Sequence, residues 1–287
     1  MIAIFNREFK SYFTSVTGFI FMSVFLFISG LFFALTDLIP ASGEYNSVLQ
    51  SITFIFLFLV PILTMRSIAE ETHQKTDQLL LTSPLTLPQI VLGKYFAAVA
   101  LFFVTLLITC LYPLILSMFG SIQGWEIVGN YVGFALMGSA FIAVGLFISS
   151  LTESQVASAV GTFGALLFIW LIDWLQQGLP TSLTAGIVFA AIIVAAISLI
   201  IYYTTRNVYA GIITALAGAI AIIIVYFSKK TLFEGFTARF LGWFSLLKRF
   251  DTFSMGILDV SSIVYFITFS AAFVFLTIRV IDKRRWS

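Results

Sequence analysis

One long polar island, Arg66 to Lys94, sets the chain's lone histidine among charged groups that could do chemistry, and its middle reads Glu70-Glu71-Thr72-His73-Gln74-Lys75-Thr76-Asp77-Gln78. The chemistries such residues support can be tested one by one. His73 is the only histidine, so a His-Glu-x-x-His zinc site is excluded, and a lone histidine in a polar loop reads first as solvated. Gly93-Lys94 is followed by Tyr95 and lacks the upstream glycine, so it is not the Gly-Lys-Ser/Thr loop that cradles phosphates. The single cysteine, Cys110, lies in an apolar run and excludes an internal disulfide or a cysteine zinc cage. No catalytic, cofactor-binding or metal-binding set emerges. What the island does offer is a grip for a water-soluble partner.

Its second half supports that reading. Leu79-Leu80-Leu81 are costly to leave wet and are expected to bury against lipid, a neighbouring helix or a partner. Ser83-Pro84 ends this short helix, because proline cannot continue it. Thr86-Leu-Pro-Gln89 fits a capping box that starts the next helix. The expected shape is a helix–turn–helix elbow. A plain connector between two spans is the alternative that pattern leaves open.

The elements that must position this elbow follow from composition. The 287 residues are 60% hydrophobic and 10% charged, with mean hydropathy +1.08, against roughly 25% charged in a soluble domain. Apolar runs at about 16–36, 47–65, 95–118, 129–150, 156–175, 184–203, 207–227 and 259–281 each approach the ~20 residues that cross a ~30 Å hydrocarbon core. Backbone amides must pair internally there, so the runs are helices. The fold class is all-α: one polytopic transmembrane helical bundle over 1–287, of about eight spans, with the elbow between the second and third. Pro61 and Pro113 are expected to bend their spans locally.

Arg7 and Lys10 precede an apolar stretch in the manner of a signal peptide, but the stretch is long enough to span and lacks a small-residue cleavage site, so a retained first span is expected. Residues 1–14 carry a greasy and a charged face at helical spacing, which fits a helix lying in the interface or a cytoplasmic extension of the first span. With both termini cytoplasmic, the inner segments hold Arg7, Lys10, Arg66, Lys75, Lys94, Arg206, Arg279, Lys283, Arg284 and Arg285. The other five, Lys229, Lys230, Arg239, Lys248 and Arg249, fall in the segment 228–258, which mixes them with aromatic residues and is expected to lie on or dip into the outer interface. A seven-span chain would place that segment inside but export the basic tail. Asp173, beside Trp170 and Trp174, is placed in the outer interfacial belt with its carboxylate reaching water. Thr204-Thr205-Arg206-Asn207 marks a tight hairpin between two spans. Small residues at Gly129/Gly133, Ala157/Gly161/Ala165 and Gly211/Ala215/Ala219 let helices approach closely, either inside the bundle or between subunits. A net charge of +2 implies no nucleic-acid partner.

At the elbow the sequence resembles the permease subunits of type-2 ATP-binding-cassette (ABC) exporters, most of all the gliding-motility-type and copper-processing-type bacterial permeases. The residues that carry the resemblance are Arg66-Ser-Ile-Ala-Glu70-Glu71, Thr76, Leu79-Leu80-Leu81-Thr82-Ser83-Pro84 and Gly93-Lys94-Tyr95. Phe250-Asp-Thr-Phe-Ser-Met-Gly256-Ile-Leu-Asp259 and Asp282-Lys-Arg-Arg-Trp286 resemble that family's end. The resemblance implies a bacterial plasma-membrane permease that is not itself an enzyme. A separate cytoplasmic ABC ATPase would dock on Glu70, Glu71, Thr76, Leu79, Leu80, Leu81 and Pro84. It further implies a second permease subunit, membrane lipid around the bundle, a re-entrant segment before the last span, and ATP-driven export of an unknown substrate. Members usually have six spans, so the pair at 184–227 is a departure. A secondary carrier and a membrane assembly factor are the competing readings, and neither needs an ATPase partner.

Overall fold

The computed structural model describes residues 1–40, 45–76, 85–118, 124–179 and 181–285. Among these there is no strand, and eight helical segments are long and apolar enough to cross a membrane. The all-α polytopic expectation therefore stands. The chain divides into two compact units, Met1–Phe168 with Leu246–Ser287, and Ile169–Ser245.

The first unit begins with α1 (Ile2–Thr14), an amphipathic helix, and α2 (Val16–Phe33). Ser15 alone separates them, in extended conformation, and a Cβ on Gly18 would lie 2.0 Å from the Tyr12 carbonyl oxygen. The first span ends in a single π-helical turn, Ala34–Leu38. The second span is assembled from α3 (Asn46–Ser51), a 3-10 turn at Ile52–Ile55 and α4 (Phe56–Thr64). The 3-10 turn precedes Pro61, which has no N–H for the carbonyl four residues back. Proline acts in the same way in the third span. That span starts with α6 (Leu87–Thr109), continues as α7 (Leu111–Ser117), and breaks at Cys110, three residues ahead of Pro113. The short α5 (Ala69–His73) lies between the second and third spans.

The centre of this unit is α8 (Gly124–Leu151), which packs against α3, α4, α6, α13 (Leu246–Ser254) and α14 (Val260–Arg285). In a membrane, lipid is as apolar as leucine, so association rests on close packing. Here it rests on aromatic rings: Phe56 lies 4.9 Å from Phe134, 5.5 Å from Phe141 and 5.6 Å from Phe102, centroid to centroid. Gly138 makes this possible, since a Cβ there would sit 2.5 Å from the Phe102 ring. The glycines expected to let helices approach do meet neighbours inside a unit. Gly133 faces Phe253 of α13, and Gly161 of α9 (Gln155–Gly178) faces Ile148. The segment ahead of the last span therefore contributes a short helix whose Leu246, Phe250 and Phe253 are buried. From Gly133 to Ser149 the α8 axis advances about 24 Å, so α13 lies far along α8 from the elbow.

The second unit holds the end of α9, the hairpin α10 (Leu183–Thr205) and α11 (Val208–Ser228), and α12 (Phe236–Phe244). The hairpin turns as Thr204–Asn207 suggested. Arg206 closes α10 in the left-handed region at φ 52°, and the Asn207 side chain accepts the Tyr209 amide at 2.9 Å to start α11. Asp173, expected to reach water, accepts a hydrogen bond from the Ser245 hydroxyl at 2.7 Å.

Candidate functional site

The elbow is built on α5, and its first support comes from another helix. The opening amides of a helix have no partner within it. Here the amides of Ile68 and Ala69 donate to the Ser149 hydroxyl oxygen at 3.2 and 3.1 Å, while that hydroxyl donates to the Met65 carbonyl at 3.4 Å. The C-terminal end of α8 thus caps α5. Glu70 and Glu71 occupy the first turn, where the helix dipole favours negative charge. At the other end Lys75 takes a left-handed conformation, φ 56°, and the Thr76 amide and hydroxyl both donate to the Glu71 carbonyl at 3.0 and 3.3 Å. This is the bond pattern that closes a helix with a left-handed residue. Thr86 and Gln89 start α6 as the capping box requires of the glutamine: the Thr86 amide donates to Gln89 Oε1 at 3.2 Å.

Three further contacts tie the elbow to the bundle. Arg66 Nε donates to Gln155 Oε1 at 3.2 Å and lies 3.6 Å from Glu70. Arg284, in the last turn of α14, donates to Thr72 Oγ1 at 3.4 Å. The third is a charge cluster around Lys94, whose side chain is only 3% exposed. Lys94 Nζ meets Glu71 at 2.8 Å, Glu8 of α1 at 3.2 Å and the Ser67 carbonyl at 2.7 Å. An ammonium has three donors, and each of them has an acceptor here. Arg7 then bridges the two carboxylates, at 2.6 Å to Glu8 and 3.0 Å to Glu71. The four charges alternate and sum to zero, which is what makes a buried lysine tolerable.

Burial pushes the Glu8 carboxyl up, but Lys94 and Arg7 outweigh it and hold its pKa below the ordinary 4.5. For Arg7, burial likewise opposes the charge, and Glu8 with Glu71 more than compensate, so its pKa is raised. A carboxyl with a lowered folded-state pKa stabilises the fold above its ordinary pKa, and that contribution disappears as pH falls through the lowered value. Acidification from neutral pH is therefore expected to leave α1 docked down to about pH 4.5 and to loosen it below. Hydrogen exchange of the α1 amides checks this; uniform protection down to pH 3 would contradict it.

The predicted site residues sort clearly. Glu70 and Glu71 open α5 and Thr76 closes its far end, whereas Leu79, Leu80, Leu81 and Pro84 lie outside the described residues. Glu71 faces inward to Lys94 and Arg7, while Glu70 is more open and His73, Gln74 and Lys75 are exposed. Sequence reasoning missed Glu8, Ser149 and Lys94 as partners of the elbow. Only Lys94 left a signal, as a lone cation in the apolar run Ile90–Ala100. Among the described residues no group of three or more His, Cys, Asp and Glu side chains is gathered for a metal.

A family model described as ABC-2 family transporter protein matches residues 3–181, which include α1, the elbow, α6 and α8. The chain belongs to that family. It is a multi-pass permease subunit of an ABC transporter. No curated protein matches the permease. The matched stretch contains every member of the Lys94 cluster, while the hairpin α10–α11 falls outside it.

Proposed function

We propose that this permease works in ATP-driven export from a bacterial plasma membrane, with a separate cytoplasmic ABC ATPase docking on the elbow and a second permease subunit completing the transporter. The observation that supports it most is the Lys94 cluster. Glu71 of the elbow, Glu8 of α1 and Lys94 of α6 form one charge-balanced joint, so a push on α5 reaches two other helices without passing through solvent. In this reading Glu70, His73, Gln74 and Lys75 present the outward face of the elbow, and the ATPase also engages Leu79, Leu80, Leu81 and Pro84. Glu71 and Thr76 act behind them, passing the motion inward. The elbow side is cytoplasmic because the basic residues gather there: Arg7, Arg66, Lys75, Lys94 and Arg284 all belong to or contact the elbow region.

Replacing Leu79–Leu81 with serine is expected to abolish co-purification of the ATPase and ATP-dependent transport, while the chain still inserts. Full ATP-dependent transport by that variant would sink the docking role. Transport by the natural chain in proteoliposomes without an ATPase would point to a secondary carrier instead.

A further inference from the structure

Two apolar hollows flank α6 in the first unit. One, about 490 Å³, lies between α6, α8 and α14; the other, about 580 Å³, lies between α6 and the start of α1. Phe96, Val99 and Phe103 line both. These three side chains therefore form a ridge with a hollow on either side, and Phe96 and Phe103 are each more than two-fifths exposed along it. The hollow beside α14 extends on α6 from Leu92 to Phe103, about 16 Å of helix rise. That is close to one leaflet's half of a ~30 Å hydrocarbon core. The polar groups that border it are few, and the Tyr95 hydroxyl is occupied by the Ser139 carbonyl at 3.2 Å.

The elbow end of the ridge is electropositive. Phe275 lines the first hollow, and the exposed Arg279 guanidinium lies over its ring, 4.9 Å from the centroid. Lys283 and Arg284 follow on α14, against the single carboxylate of that helix, Asp282. The N-terminus of α6, a helix of 23 residues, opens at the same end and adds its positive dipole.

We infer that the two hollows hold the two acyl chains of one anionic phospholipid, which straddles the Phe96–Val99–Phe103 ridge and sets its phosphate against Arg279. Twin apolar grooves account for two chains, the depth accounts for one leaflet, and the basic mouth accounts for the sign of the headgroup. A lipid seated there touches α1, α6 and α14, three helices that also carry contacts to the elbow. The inference requires only a membrane-spanning chain and does not rest on the docking of an ATPase.

The test is native mass spectrometry of the full-length permease released from micelles containing equal phosphatidylglycerol and phosphatidylcholine. Phosphatidylglycerol is expected to be retained over phosphatidylcholine by roughly fivefold, the effect of one basic side chain near an anionic headgroup. Arg279→Ala should bring the ratio to about one and Arg279→Lys should keep it; both act at an exposed position and leave the bundle intact. Val99→Trp, which widens the ridge into both hollows, should lower retention of both lipids, with helicity by circular dichroism confirming the fold. Equal retention of the two lipids by the natural chain would overturn the site, because bulk lipid would then suffice. An unchanged preference in Arg279→Ala would overturn it too. So would efficient disulfide cross-linking between two copies through Ala271→Cys in a Cys110→Ser background, which would give the hollow to a second permease.

Discussion

Lys94→Ala is expected to be among the most damaging single substitutions in the permease. It removes the ammonium that satisfies Glu8, Glu71 and the Ser67 carbonyl together, and it leaves two carboxylates facing one arginine that is itself half exposed. Breaking a buried ion pair by deleting one partner costs about 3–5 kcal/mol, because the other charge remains desolvated. Thermal unfolding in detergent should register that loss, and limited proteolysis should show α1 released. A sharper readout is pH. The natural chain loses the Glu8 contribution on acidification below its ordinary pKa of 4.5. Without Lys94, burial of Glu8 is opposed by Arg7 alone, so the acid loss should shrink or reverse. Removing the charges together, as Glu8→Leu, Lys94→Met and Glu71→Met, should recover most of the stability, yet leave the elbow without its ionic tie. A Lys94→Ala chain as stable as the natural one, with an unchanged pH profile, would refute the account.

Gly138→Val is expected to unfit the core of the first unit. Even the Cβ would lie 2.5 Å from two ring carbons of Phe102 and 3.0 Å from Phe56. Neither ring can retreat: Phe102 is fully buried, Phe56 is 2% exposed, and each is enclosed by other rings. Overpacking typically costs about 1–3 kcal/mol and more where neighbours cannot yield. In a bilayer this packing is itself the main force holding helices together. The order of stability in SDS-induced unfolding should be natural chain, Gly138→Ala, Gly138→Val. Equal midpoints for all three would show that α8 can step away from α4 and α6.

Much of this fold was legible because lipid simplifies the problem. Apolar runs of span length must be helices, and each expected run coincides with a helical segment, extended at the third span back to Leu87. Short-range signals also read correctly, since they depend on neighbours: Gln89 closing on Thr86, and Asn207 starting α11. Contacts between distant parts of the chain were not legible. Glu8 and Lys94 are 86 residues apart, and their pairing depends on α1 lying against α6 where Gly93 leaves room for Ile4. Ser149 stands near the end of the apolar run 129–150, yet it caps α5 across 80 residues. No periodicity encodes such pairs. The usable clue was energetic: a lysine inside an apolar run must find a carboxylate somewhere. By the same reasoning Glu71, which the resemblance offered as a docking group, pairs inward with Lys94 and Arg7, and Glu70 is the more exposed of the two.

The junction at Ser15 has a mechanical consequence. One residue, about 3.8 Å of chain, is all that separates α1 from the first span, and Gly18 already touches the Tyr12 carbonyl. There is no slack to absorb a tilt of α1. The two helices form a bell crank with a one-residue pivot, so a tilt of α1 is handed on as a rotation of the first span rather than taken up between them.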